Sequence, residues 1–126
     1  MILGIGTDII EIERVKKAID RWGDNFLRHV FNPEEINYAQ KNKFPTQHFA
    51  ARFAAKEAVF KAIGNDPTIT WKDILILNNK FGAPYCVFKK NGFKHQILIS
   101  ISHTENYAVA SAIVAEITNN QDTNIK

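Results

Sequence analysis

A single cysteine, Cys86, stands among 126 residues. No disulfide can form within the chain, which fits a reducing compartment. Neither sign of charge dominates: Lys and Arg number 16 against 13 Asp and Glu, a net +3. So mild a basicity suits phosphate-bearing ligands or acidic partners without naming either. No Cys/His pair has zinc-like spacing, so a zinc site is excluded. A Walker loop, a nucleophile elbow and a dinucleotide fingerprint are all missing. Repeats, linkers and low-complexity segments are missing too, and the length suits one domain over residues 1–117. The opening MILGIGTDIIEIERV has no basic residues ahead of its apolar stretch, and Asp8 interrupts that stretch. It reads as neither a signal peptide nor a membrane span. The expectation is a soluble, cytoplasmic protein with no membrane partner.

Residues 2–10 alternate as a strand, with Gly4 and Gly6 interleaved among isoleucines and a leucine. From Glu11 the period becomes helical through Ile12, Val15, Ile19 and Trp22, until Gly23-Asp24 breaks or bends it. A shorter apolar pattern follows at Phe26, Leu27, Val30 and Phe31. Asn32-Pro33-Glu34-Glu35 predicts a helix start: Asn32 caps, Pro33 fits the first turn, and the glutamates suit the positive helix end. That helix runs to Gln40, and a longer one spans 46–63 before Gly64. Strands are expected at 73–77, 84–88, 95–102 and 107–117, with a turn at Asn91-Gly92 and a polar, disordered tail over 118–126. Helices early and strands late predict an α+β fold, an antiparallel sheet packed on helices with a long central one.

The central helix carries charges it cannot easily hide. Phe49, Phe53, Phe60 and Ile63 form one apolar arc at helical spacing, and Ala50, Ala51, Ala54, Ala55, Ala58 and Ala62 form another nearly opposite. A helix apolar on two sides is expected to be buried on two sides. Glu57 and Lys61 lie between the arcs, and Arg52 and Lys56 lie at or within the phenylalanine arc. Two readings fit. Glu57 and Lys61 pair along the helix while the other bases reach solvent. Alternatively, Glu57 holds a divalent cation while Arg52, Lys56 and Lys61 neutralise phosphate oxygens.

Gly4, Gly6 and Asp8 share one strand face. Two of these positions lack side chains, which predicts an open space beside Asp8, fit for Mg²⁺ and phosphate. Asp8-x-x-Glu11 equally resembles a cap for the first helix. His103 ends a strand after Ser100-Ile101-Ser102, where it could bind a phosphate or ribose oxygen, relay a proton, or have no role. Arg14, Lys17 and Arg21 occupy one sector of the first helix, either a solvated face or a dock for an acidic partner.

Three segments then align with one family. GIGTDIIEIERV at 4–15, RFAAKEAVFKAIG at 52–64 and SISHTENYAVA at 100–110 resemble the signature regions of holo-acyl-carrier-protein synthases, in order and spacing. The resemblance covers nearly all of 1–117. It implies the 4′-phosphopantetheinyl transferase fold and a Mg²⁺-dependent transfer of 4′-phosphopantetheine from coenzyme A to a serine of apo-acyl-carrier protein, in support of fatty acid biosynthesis. It implies metal ligands Asp8 and Glu57, and catalytic roles for Glu57 and Lys61. Arg52, Lys61, Pro84 and His103 match positions lining the coenzyme A site, and Lys56 joins them as a further base. Arg14 matches a carrier-docking residue, with Lys17 and Arg21 beside it. It also implies a homotrimer with active sites shared between neighbours. Two turns depart from the family: Gly64-Asn65-Asp66 stands where Gly-Thr-Gly is common, and Gly82-Ala83-Pro84 where Gly-Lys-Pro is common. The same carboxylates and bases would serve a nucleotide pyrophosphate hydrolase. A basic binding module is the non-enzymatic alternative, although the core spacing of Phe49, Phe53 and Phe60 argues against nucleic acid.

Overall fold

The structure, a computed structural model, describes residues 1–89 and 93–117. The expected Asn91-Gly92 turn and the 118–126 tail lie outside the described residues. The chain begins with β1 (Ile2–Glu11) and continues directly into α1 (Ile12–Trp22). Then come α2 (Asp24–Val30), α3 (Pro33–Gln40) and the long α4 (Pro45–Ala62). A single 3₁₀ turn at Trp71–Asp73 leads into β2 (Ile74–Asn78), β3 (Pro84–Phe88), β4 (Gln96–His103) and β5 (Tyr107–Ala115). Element types follow the sequence reading, and boundaries move by a residue or two. Gly23, at a positive φ of 55°, separates α1 from α2, a conformation that costs glycine little.

The architecture is α+β, but the strands form two antiparallel sheets rather than one. β5 is the centre of a three-stranded sheet in the order β1-β5-β4, and β2 pairs only with β3. The α4 helix lies across the larger sheet. Its Ala54, Ala55 and Ala58, all buried, join Ala108, Ala110 and Ala112 of β5 in one core. Small residues on both surfaces let the helix axis approach the sheet closely. The opposite, aromatic arc of α4 packs on the other elements. Phe49 meets Phe31 with ring centroids 5.1 Å apart, and Phe53 and Phe60 meet Trp71 at 5.0 and 5.1 Å. Helix α4 is therefore buried on two sides, as its two arcs require. Among the described residues, no helix is long and apolar enough to cross a membrane.

Candidate active site

The site begins with the glycines of β1. A Cβ built on Gly4 would lie 1.9 Å from the carbonyl oxygen of Ala62, and one on Gly6 would lie 2.0 Å from that of Ala58. The α4 backbone therefore fills the space over Gly4 and Gly6, and the open space that Asp8 does line lies toward α1. The missing side chains admit the helix, not a ligand. Asp8 does not cap α1 either, since it lies inside β1, paired with Ala110, and Glu11 holds the cap position.

This close packing brings the charged residues of α4 to the aspartate. The Nζ of Lys61 donates to the Thr7 carbonyl at 2.9 Å and to Asp8 Oδ1 at 3.4 Å. Lys61 thus turns toward β1, and no Glu57–Lys61 ion pair forms. Asp8 and Glu57 line a cavity of about 380 Å³ together with Arg14 of α1, Phe26 and Phe53. Burial raises the Glu57 carboxyl above its ordinary range, the nearby Asp8 charge raises it further, and Lys61 opposes them. Two partly desolvated carboxylates that repel each other suit a hard cation, which would relieve both effects. Among the described residues, no group of three or more His, Cys, Asp or Glu side chains gathers to hold a metal. A cation here would rest on two carboxylates and take its remaining oxygens from water and a ligand, the habit of Mg²⁺ at phosphates.

A second cavity, of about 220 Å³, gathers Arg52, Pro84 and His103 with Tyr38, His48, Asn78, Gly82 and Ile101. Arg52 is buried yet has no carboxylate within ion-pair distance among the described residues. Its Nη2 donates to Asn78 Oδ1, its Nη1 to the His48 carbonyl at 3.5 Å, and its guanidinium sits 4.3 Å over the Tyr38 ring. Arg52 Nε, also buried, has no hydrogen-bond partner. Burial, then Arg52, then His103 push the His48 imidazole toward its neutral form. An uncompensated buried guanidinium flanked by two imidazoles suits an anion.

One expected ligand residue is corrected. Lys56 is fully buried, and its Nζ is taken by Glu35 Oε1 at 2.7 Å, the Val30 carbonyl at 2.7 Å and the Trp71 carbonyl at 3.0 Å. An ammonium has three protons to donate, and none is left for a phosphate. A lysine inside the aromatic arc of α4 points into the core. Arg14, Lys17 and Arg21 are all exposed, but only Arg14 reaches the carboxylate cavity. Trp22, expected on the buried face of α1, is 56% exposed and carries the Arg21 guanidinium over its ring at 4.9 Å.

Sequence reasoning missed Tyr38, His48 and Asn78. The Tyr38 and His48 rings meet edge to face between α3 and α4, with centroids 5.6 Å apart, and no local pattern ties either residue to Arg52. It also missed Phe26 and Phe53 as walls of the carboxylate cavity.

With this geometry in place, the comparisons decide the family. Residues 4–112 match the 4′-phosphopantetheinyl transferase superfamily. The chain belongs to it. A holo-[acyl-carrier-protein] synthase of Thermodesulfovibrio yellowstonii is 46% identical over 90% of this chain and 99% of its own length. One from Koribacter versatilis is 42% identical over 92% of this chain and 100% of its own. The crystal structure of the Bacillus anthracis holo-(acyl-carrier-protein) synthase, in complex with CoA (3′,5′-ADP), superposes with a TM-score of 0.83 at 35% identity, covering 93% of this chain and 99% of that one. The Helicobacter pylori synthase in complex with coenzyme A gives 0.80 at 32%, over 88% and 99%.

Proposed function

We propose that this chain transfers the 4′-phosphopantetheine group of coenzyme A to a serine hydroxyl of an apo-acyl-carrier protein, releasing adenosine 3′,5′-bisphosphate. The observation that carries this is the pairing of an anion-suited cavity at Arg52 and His103 with a carboxylate-and-lysine site at Asp8, Glu57 and Lys61. Membership of the superfamily and the whole-length likeness to holo-acyl-carrier-protein synthases give that pairing its substrates.

In the reaction, the serine oxygen forms a bond to the β-phosphorus of coenzyme A. The bond from that phosphorus to the oxygen bridging it to the nucleotide breaks, and the electron pair leaves with adenosine 3′,5′-bisphosphate. Such transfers depend on positioning and charge neutralisation. Mg²⁺ held by Asp8 and Glu57 would neutralise pyrophosphate charge. Lys61 releases Asp8 and meets the charge that develops on the phosphate oxygens. Glu57 takes the serine proton through a water. Arg52 and His103 hold the nucleotide phosphate and Pro84 lines its pocket. Arg14, at the mouth of the carboxylate cavity, guides an acidic carrier protein, with Lys17 and Arg21 extending the basic face of α1. The setting is fatty acid biosynthesis in the cytoplasm.

A trimer with shared sites accounts for one feature of the geometry. Asp8 and Ile101 stand on one cross-strand row through Ala110, at opposite edges of the sheet. Both cavities draw on α4, the carboxylate cavity through Phe53 and Glu57 and the other through His48, Ala51 and Arg52, and they share no lining residue. Coenzyme A would bind the carboxylates of one copy and the Arg52 cavity of its neighbour. The uncovered sheet face offers the contact: Ile5, Ile113 and Leu98 are in register, with Ile5 69% and Leu98 48% exposed.

Intact-protein mass spectrometry tests the reaction. An apo-acyl-carrier protein incubated with this chain, coenzyme A and Mg²⁺ gains the mass of one phosphopantetheine, and EDTA prevents the gain. No gain with carrier proteins from several sources overturns the proposal.

A further inference from the structure

Hairpin β2–β3 supplies Asn78, Gly82 and Pro84 to the Arg52 cavity, yet it shares no ladder with the three-stranded sheet. Ile74 and Ile76 pack it into the core beside α4, and the buried pair of Lys56 and Glu35 adds polar ties. Glu35 Oε2 accepts from the backbone N–H of Ile76 at 2.9 Å, in the middle of β2. Its Oε1 accepts from Lys56 at 2.7 Å and from the Asn32 backbone N–H at 2.8 Å. Lys56 reaches the Trp71 carbonyl, just ahead of β2, at 3.0 Å. Asn32 Nδ2 donates to the Lys72 carbonyl at 3.2 Å. Residues 71–76 are thus tied to α3 and α4 through the fully buried Lys56 and Glu35 side chains and the buried Asn32. Buried groups of this kind tolerate little displacement, because a broken bond leaves a desolvated charge or amide unpaired.

The consequence falls on the cavity. Lys56 lies one helical turn beyond Arg52 on α4, and Ile76 lies two residues before Asn78 on β2. A strand pinned at Ile76 N–H has its register fixed at Asn78, whose Oδ1 accepts from Arg52 and whose Nδ2 donates to the Gly82 carbonyl at 2.9 Å. We infer that Lys56 and Glu35 are positioning residues for the nucleotide pocket: they touch no ligand, and they set the distance between the Arg52 wall and the Asn78–Pro84 wall. The ligand named here rests on the coenzyme A reading above, while the mechanical claim does not.

The test separates positioning from stability. Lys56→Met keeps an unbranched side chain, one atom shorter, and removes the ties to Glu35, Val30 and Trp71. The neutral double, Glu35→Gln with Lys56→Met, leaves no charge at the pair and guards against a single variant that fails to fold. Val59→Ala, a core change on the same helix, is the control for stability loss alone. Calorimetry with coenzyme A should show Kd raised about tenfold or more in Lys56→Met and in the double, since displacements near 1 Å carry effects of that order. KM for the carrier protein should stay within about twofold, and Val59→Ala should leave both constants near the parent's. Hydrogen exchange at the Ile76 and Asn78 amides should quicken about tenfold in Lys56→Met relative to Val59→Ala. Parental coenzyme A affinity in either folded variant, or unchanged exchange at both amides, overturns the inference. A parent chain that binds no coenzyme A overturns the proposed function instead, and amide exchange then decides the mechanical claim alone.

Discussion

Gly6→Ala is the sharpest perturbation available, because one methyl group sets β1 against α4. The added Cβ would lie 2.0 Å from the Ala58 carbonyl oxygen, 2.8 Å from Ala62 N and 2.9 Å from Lys61 Cβ. Two of these are backbone atoms of a helix interior, which cannot rotate away. Ordinary contact starts near 3.4 Å, so helix and strand must part by about 1.4 Å along that line. Overpacking of this kind costs about 1–3 kcal/mol. The larger effect is on the site. Asp8 rides on β1, while Glu57 and Lys61 ride on α4, so the separation opens the two carboxylates and stretches the 2.9 Å Lys61–Thr7 bond beyond hydrogen-bond length. Misplacement by about 1 Å is worth roughly a hundredfold in turnover. Steady-state transfer assays alongside thermal melts measure both consequences. The expected variant is folded, with Tm lowered by several degrees and kcat down about a hundredfold. Parental kcat in Gly6→Ala would show that the close approach of β1 and α4 does not set the site.

Three further outcomes are expected. Arg14→Glu raises KM for the carrier protein about tenfold and more than it raises KM for coenzyme A, the effect shrinking in high salt; equal changes in both constants refute the docking role. Arg52→Gln weakens binding of adenosine 3′,5′-bisphosphate about ten- to a hundredfold, the weight of one charge-assisted hydrogen bond, and calorimetry showing unchanged affinity removes Arg52 from the pocket. Glu57 titrates higher folded than unfolded, so the native state binds the extra proton between the two values and stability falls as pH rises through that window. Glu57→Gln therefore melts above the parent at pH 7, and the gap closes as pH drops below the ordinary 4.5; a gap independent of pH contradicts the raised carboxyl.

The sequence displays its helices and strands through period alone, and the reasons for its silences are physical. Alternation places Gly4, Gly6 and Asp8 on one face but cannot say whether absent side chains leave a void or admit a neighbour. The answer lay in a second pattern, the alanines of α4, since two small-residue surfaces exclude less volume by closing on each other than by standing apart. Lys56 and Lys61 look alike as bases one and a half turns apart. Their fates separate because Lys56 falls within the aromatic arc, where an ammonium survives only beside an acid, and that acid is 21 residues away. Glu35 has a local explanation in the helix dipole after Asn32, and a sufficient local reason hides a tertiary one. Tyr38, His48 and Asn78 carry no spacing that joins them, because their meeting depends on how α3 and a free-standing hairpin dock on α4.

On the proposed function, the placement of charges on helix α4 would account for a site whose halves one short chain holds without completing it. The helix's alanine face is spent on the sheet and its phenylalanine face on the helices, so charges can emerge only along the two flanks. Arg52 leaves by one flank toward β2, β3 and β4, while Glu57 and Lys61 leave by the other toward β1. A ligand long enough to need both sets of charges would have to pass around the helix or lie across a boundary between copies. The row of Ile5, Ile113 and Leu98, exposed at Ile5 and Leu98, favours the second course, because apolar surface in register across three strands is surface that association removes from water. On this reasoning a charge placed at Ile5 should separate the copies and end transfer together, although Ile5 does not line the carboxylate cavity.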